Sequence, residues 1–482
     1  MDKKYDIIIV GAGLSGLLCG AYLSNNGYRV CILEKHKNIG GAIQTFNRRG
    51  VTFDTGMHFF GAVKKGQIQY ELFKLFGIID KLEIEEIKEF NAIIEDKEYV
   101  LPTGFGKYKN KLLNLFPSEN EAIVKYILKL KEVIKNITID NIIKGFVLDV
   151  NHTEGIYQFV NDITDNKELR NVLLFNNMLY GIDANKASIY MHSVINGSFL
   201  QSVGMFKDGT KQFLDILQNT IEQNGSDILT SKEIQKFEIE DGNIKSCLCK
   251  NGEKYYGKKY ISTLHPIKNL ELTDTTLIKK FYRKRISELE NTYGTFLIFI
   301  EMQQKTFLFQ NPKFICDKIT EHGFNSSYLL YTPYSGKDGK YANLVKVMLP
   351  MTIKELEKWE NSSLYNRPEA YYEFKKKKAE IIFAEIEKRY PNFTKHIKNY
   401  YTSTPLTYRD YTGTVNGSAY GVVNDFNKAV KSMLSVRTKV RNLYFSGQSI
   451  NFHGMLGVSI TALLTSDAII KDDEFLRKSK KI

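Results

Sequence analysis

Cysteine is scarce, long apolar runs are missing, and no internal repeat or low-complexity tract interrupts the chain. The five cysteines (Cys19, Cys31, Cys247, Cys249 and Cys316) form no Cys-x-x-Cys pair and no metal-ligand spacing. A disulfide-stapled scaffold is therefore set aside, no metal is expected, and the thiols are read as reduced core or surface groups. No stretch approaches about 20 consecutive apolar residues, the length a membrane-crossing helix needs. The apolar run near the N-terminus holds glycines and a serine, unlike the core of a signal peptide. A cytoplasmic protein without a transmembrane span is the expectation. Acidic residues are outnumbered, 54 against 67 Lys and Arg, for a net charge of +13. The lysines are spread along the chain and form no recognised nucleic-acid motif, so nucleic acid is not an expected partner. Two runs, Lys107 to Phe116 and Leu277 to Ile286, mix cations with apolar residues. Each suits either a solvated amphipathic helix or peripheral contact with an anionic membrane.

What is present is size, apolar content and a pattern. With 482 residues, 43% of them hydrophobic and 25% charged, the chain can build two full-sized cores and is not disordered. Asp6 to Val10 is a β-rich run. Gly11-Ala12-Gly13-Leu14-Ser15-Gly16 follows, and Leu14, Leu17, Leu18, Ala21 and Tyr22 then recur at helical spacing. Asn25-Asn26-Gly27 stops the helix, Tyr28 to Leu33 reads as a second strand, and Glu34 ends it. Each glycine has a separate job: Gly11 permits the tight turn, Gly13 lets backbone approach a pyrophosphate, and Gly16 lets helix and strand pack closely. The helix N-terminus offers free N–H groups to the phosphates, and a carboxylate at Glu34 suits a ribose 2′-hydroxyl. Strand, turn, helix, strand and acid in that order predict a dinucleotide site.

A second glycine loop, Gly40-Gly41-Ala42, comes where an NAD domain would run on into its next βα unit, and Phe53-Asp54-Thr55-Gly56-Met57-His58 follows it. At the other end, Asn442 to Gln448 is a strand ending in Gly447-Gln448, and Phe452-His453-Gly454-Met455-Leu456-Gly457-Val458 opens a long helix. These motifs resemble the FAD-binding domain shared by flavin amine oxidases and phytoene desaturases. The Asp54-x-Gly56-x-His58 pattern resembles the branch of phytoene desaturases, carotenoid isomerases and retinol saturases.

The resemblance covers almost the whole chain. It implies an α/β fold, with a Rossmann-type FAD-binding domain of the glutathione-reductase kind at 1–82, 200–265 and 436–482. An interleaved α+β substrate domain would take 83–199 and 266–435. FAD contact is implied for Gly11, Gly13, Leu14, Ser15, Gly16, Glu34, Lys35, Gly40, Gly41, Ala42, Gly56, Met57, His58, Ile234, Thr263, Gly447, Gln448, Gly457 and Val458. Gln448 stands where the family more often has an acid, and Lys207-Asp208-Gly209-Thr210 stands for its Pro-x-Gly-Gly. Between these ends, Ser118 with Glu121 reads as a capping box, and Ile234 to Ser262 as a run of strands returning to the FAD domain. No second Gly-x-Gly-x-x-Gly in strand–helix context follows Gly16, so no separate NAD(P) domain is expected.

The implied activity is hydride exchange at flavin N5 with a carbon–carbon bond of a lipophilic polyene, as a desaturase, saturase or isomerase, with a lean toward the retinol saturases. With 29 Tyr and 30 Phe, an apolar substrate site is expected. His58, His453, Tyr420 and Tyr411 are the proton-transfer candidates by motif position. The electron donor or acceptor is left open. An amine oxidase on the same fold is the alternative, and a flavin-free carrier of prenyl lipids a more distant one.

Overall fold

A computed structural model describes residues 4–479 apart from 57, 146–153, 317, 321–322, 326–327, 333–339, 429–431 and 433. Met57, one of the expected cofactor contacts, lies outside the described residues.

The Lys4–Val10 strand sits at the centre of a seven-stranded sheet. Val30–Leu33 and then Asp227–Leu229 lie in parallel on one side of it. Lys254–Ser262 and then Leu443–Phe445 lie in parallel on the other. Asn243–Cys249 and Ile234–Glu240 extend the long Lys254–Ser262 strand as an antiparallel meander. The β-branched run Ile7, Ile8 and Ile9 is fully buried, because both faces of the sheet are covered. On one face the Leu14–Asn25 helix packs between the Thr210–Gln223 and Gly454–Ser479 helices.

Among the described residues one helix, over Gly454–Glu474, is long and apolar enough to cross a membrane, and 78% of its most apolar stretch is buried inside the protein. Counting uninterrupted apolar residues overlooks it, because Ser459, Thr461, Thr465 and Ser466 break the run. All four are buried. Thr461 donates to the Gly457 carbonyl and Thr465 to the carbonyls of Phe445 and Thr461, which makes the burial of these two threonines tolerable in a core helix.

A second seven-stranded sheet runs in the order Ile397–Ser403, Gly294–Met302, Leu344–Met351, Tyr328–Tyr331, Lys313–Cys316, Glu89–Ile94 and Lys97–Pro102. All pairings are antiparallel except that between Lys313–Cys316 and Glu89–Ile94. One face packs on the Glu369–Arg389 helix, with Phe296, Ile298 and Val347 against Ile382, Phe383 and Ile386. The opposite face carries Leu297, Phe299, Leu344 and Met348 into a core shared with the Asn120–Lys135 and Ile189–Gln201 helices. A small sheet of Phe60–Gly61, Val203–Phe206 and Ile84–Ile87 joins the two halves.

The expected capping box at Ser118 is not formed. Pro117–Glu119 is a 3-10 turn, and Glu119 precedes the Asn120–Lys135 helix without a side-chain cap. Capping boxes stand instead at Thr352 and Thr404. All five cysteines are buried, and none is in a disulfide.

Candidate active site

The parallel strands of the first sheet end together at Val10, Leu33, Leu229, Ser262 and Phe445, and the loops leaving that edge form one groove. This is the crevice at which open α/β sheets bind ligands. Gly11 turns there with φ +99, and a Cβ on it would lie 2.5 Å from Thr263 Oγ1. Thr263 in turn donates to the Val10 carbonyl at 2.9 Å. Gly447 makes the matching turn after the last strand, at φ +111 and against the Thr263 carbonyl. Three loops are thus interlocked at Thr263, and side chains larger than hydrogen have no place at either glycine.

Gly16 does not line the groove. A Cβ there would stand 2.0 Å from the Gly11 carbonyl, so its role is close packing. Gly13 is the reverse case: a Cβ on it would meet no protein atom within 4 Å. The helix it precedes has no side-chain cap and no acid in its first turn, so its N–H groups remain available for an anion. Ser15 turns its hydroxyl away, to Ser446 Oγ at 2.7 Å, which leaves only its backbone to face a ligand. Gly40 donates to the Ala12 carbonyl at 2.8 Å, so the second glycine loop is tied directly to the first. A Cβ at Gly56 would reach the Ala42 carbonyl at 2.1 Å, which brings the Asp54–His58 segment against the same loop.

Glu34 is buried. Its two oxygens accept from the backbone N–H of Ala12 at 2.8 Å and of His36 at 2.9 Å. The carboxylate is thereby held rigidly at the groove wall with lone pairs to spare for a diol. Lys35 donates to the Asp410 carbonyl at 3.2 Å, and burial lowers its pKa. Asp54 has a different task from the one its motif suggests. Its carboxylate accepts from Thr210 N at 3.1 Å and Thr210 Oγ1 at 2.5 Å, capping the Thr210–Gln223 helix across the chain.

The groove opens into a cavity of about 610 Å³. At one end stand Glu34, Lys35, Lys232 and Ile234; in the middle Gly13, Leu14, Gly41, Ala42, Thr263 and Gln448; and beyond them Gly457 and Val458 at the start of the last helix. That helix also has no acid in its first turn. The far end is apolar, with Phe59, Val194, Phe199, Leu297 and Met348 in its walls. An extended, anionic cofactor with a flat, electron-poor head fits these residues. Two helix N-termini without an acid in the first turn face it, a hydrogen-only wall at Gly13 admits it, and an apolar pocket continues past it.

His58, Tyr420 and His453 line the cavity, which is why each is only half-buried. The rings of Tyr420 and His453 meet at a tilt of 33° with centroids 4.5 Å apart, and His453 Nε2 donates to the Leu179 carbonyl at 3.0 Å. Burial pushes the Tyr420 phenol up and the His453 imidazole down to about 4, so both are neutral at ordinary pH. Tyr411 is elsewhere. It stacks on His36 at 5.2 Å and its hydroxyl meets that of Tyr365 at 3.3 Å, at the Glu34 end of the cavity. The proton-transfer role expected of it is therefore withdrawn. Tyr408, one helical turn before it, stands beside Gly56. Phe452 packs on Tyr190 at 5.7 Å and does not reach the cavity, so it makes no aromatic wall for an amine.

Sequence reasoning missed Tyr408, Thr295, Leu297, Met348, Val194 and Phe199, which line the far end. Which face of the Gly294–Met302 strand meets a cavity depends on the helices laid over it.

Four histidines are held neutral by burial: His58 well below its usual range, His192 at about 3, and His265 and His453 at about 4. In the unfolded chain each protonates near 6.5. Below that pH the unfolded state binds the extra protons, so stability is present above 6.5 and is lost as pH falls toward 4. Each such histidine costs about 2 kcal/mol at pH ~5. Urea unfolding midpoints should drop sharply between neutral pH and pH ~5. A flat midpoint over that range would contradict the burial.

A crevice of this kind, continued by an apolar pocket against a second sheet, is the arrangement of a flavoprotein. The comparisons agree. The family model described as "Flavin containing amine oxidoreductase" matches residues 14–470, and the chain belongs to that family, whose members carry a flavin. Among curated proteins it is similar to the all-trans-retinol 13,14-reductase of Danio rerio, 23% identical over 98% of this chain and 86% of that protein. It is also similar to the 4,4'-diapophytoene desaturase of Staphylococcus aureus strain bovine RF122 / ET3-1, 22% identical over 97% of this chain and 99% of that one. Among solved structures, putrescine oxidase bound to putrescine matches with a TM-score of 0.63 at 13% identity, covering 98% of this chain and 100% of that one. At that identity the likeness bears on the fold alone.

Proposed function

We propose that this chain is an FAD-dependent oxidoreductase of carbon–carbon bonds in a lipophilic polyene, working as a saturase of a retinoid-like substrate. The observation that carries the reading is the apolar end of the cavity, walled by Phe59, Val194, Phe199, Leu297 and Met348, which continues directly from the cofactor groove. The named activities of the retinol reductase and diapophytoene desaturase relatives support the same substrate class.

FAD rather than a shorter flavin is favoured because the groove continues past Gly13 to Glu34 and Ile234. Glu34 would take the adenosine ribose, the N–H groups after Gly13 the pyrophosphate, and the helix starting at Gly454 the pyrimidine edge of the ring. The bound flavin supplies hydride chemistry at N5. The chain's own residues hold the polyene in a dry pocket and supply or take the proton. The segments 1–82, 200–265 and 436–482 would hold the cofactor and the remainder the substrate. A separate donor or acceptor resets the flavin.

The test is turnover. The enzyme, reduced without oxygen and mixed with a retinoid, should yield a product two hydrogens heavier. Turnover of primary amines with polyenes ignored would make it an amine oxidase instead.

Peripheral membrane contact belongs to the same reading. In the Lys280–Ser287 helix Phe281 is 81% exposed, and Lys280, Lys284 and Arg285 surround it. Binding to vesicles containing anionic lipid should weaken in Phe281→Ser and in high salt. Binding unaffected by either would remove this helix from the proposal.

A further inference from the structure

Lys346 is a charged group set in an apolar sheet face. Alternation along the Leu344–Met351 strand puts Leu344, Lys346 and Met348 on the face that packs under the helical layer. Lys346 is 3% exposed and its ammonium has no hydrogen-bond partner. The rings of its cross-strand neighbours Phe299 and Tyr331 lie 5.6 and 6.0 Å from Nζ. Such contacts return only part of what it costs to take an ammonium out of water, and methionine would pack there without that cost.

His58 supplies the second observation. Its ring stands 5.4 Å from the Tyr331 ring, whose hydroxyl donates to the His58 carbonyl at 2.5 Å. Its Nδ1 is buried without a partner. His58 and Met348 line the cavity; Lys346 does not. It lies behind them, close enough that its charge opposes protonation of His58. Two orphaned polar atoms thus gather around one tyrosine, one at the cavity wall and one just outside it. Buried polar groups without partners are rare enough to call for a use.

We propose that Lys346 is the positioning residue that supplies His58 with the proton His58 delivers to a substrate carbon. The inference rests on the polyene reading above. In saturation the carbon–carbon π bond breaks, and two electrons arrive as hydride from the reduced flavin to form one C–H bond. His58 gives the proton on Nε2 to the neighbouring carbon, forming the second, and accepts one at Nδ1 from the Lys346 ammonium. The resulting amine regains its proton from water once product leaves. The other groups facing this spot are already engaged. Asp54 caps a helix and attracts the ammonium, Tyr331 bonds the His58 carbonyl, and Glu301, on the same sheet face, is held by Lys398 and Asn399.

The test uses the full chain with Lys346→Met, His58→Gln and the double variant. Isotope-labelled lysine followed by NMR should show the Lys346 amine titrating near pH 8, told from that of Lys375, which burial also lowers to about 8, by its absence in Lys346→Met. Single-turnover polyene reduction should break at that same pH in wild type and lose the break in Lys346→Met. Each single variant should slow the step by about tenfold to a hundredfold. The double variant should be no slower than either single, because the two groups act in series. Multiplying losses, an unchanged rate in Lys346→Met, or a Lys346 that titrates with the bulk lysines would each overturn the proposal. Wild type that ignores polyenes would sink the function and the proton delivery together. Turnover without coupling between the two residues would sink this inference alone.

Discussion

Gly13→Val is expected to purify as a folded protein that no longer holds flavin. Gly13 is in extended backbone, at φ −74 and ψ 179, and any residue adopts that conformation. A Cβ there would touch nothing in the protein, so the substitution leaves the core as it is. The same Cβ projects into the groove at the turn where the first helix exposes its N–H groups. A valine side chain there should weaken flavin binding by at least about a hundredfold, or about 3 kcal/mol. Gly16→Ala, three residues along the same motif, should do the opposite kind of damage. Its added methyl would collide with the Gly11 carbonyl at 2.0 Å, so the protein should fail to accumulate in soluble form whether or not flavin is supplied. Thermal unfolding and the ratio of flavin to protein absorbance separate the two outcomes. Stoichiometric flavin in Gly13→Val would contradict the assigned groove.

Lys346→Met should make the protein markedly more stable at neutral pH while slowing its chemistry. Burial lowers the Lys346 pKa from 10.5 to about 8, the charge of Asp54 offsetting only part of the effect. Between those values the unfolded chain binds a proton that the folded one does not, so wild-type stability rises with pH through that window. Below pH ~8 the whole penalty applies, about 3 kcal/mol. Methionine abolishes it and fills similar space. Denaturant unfolding should therefore show the variant ahead by about that amount at pH ~7, with the advantage vanishing by pH ~10.5. Equal stability at both pH values would mean that Lys346 is not a desolvated ammonium. A residue that costs this much is an expected signature of function.

The parts of the site that were legible in the sequence are those where backbone alone decides. Gly11 and Gly447 must turn left-handed against Thr263, Gly16 must be hydrogen-only against Gly11, and Glu34 must end its strand, so each leaves a mark at a set spacing. Side-chain partners far along the chain leave none. Asp54 was read with His58 as one motif, yet its carboxylate is taken by Thr210, 156 residues away. Tyr408 and Tyr411 lie on one short helix, Pro405–Thr412, and only the packing of that helix decides that Tyr408 stands beside Gly56 while Tyr411 stacks on His36. Nothing in the sequence around Lys346 marks it as buried. Its burial comes from Phe299 and Tyr331 on the two flanking strands and from the helical layer above them. The glycine-rich ends could therefore be read, whereas the cavity between them is assembled from long-range packing.

The account turns on flavin electrons passing to a polyene in this cavity. The most direct measurement is the visible absorbance spectrum of the purified protein, reduced anaerobically and then mixed with a retinoid. The account predicts flavin bands that bleach on reduction and return on adding the retinoid, at a rate that Lys346→Met lowers without changing the spectrum. Flavin that stays reduced in the presence of every polyene tried, or a protein that takes up no flavin when FAD is supplied, would contradict it.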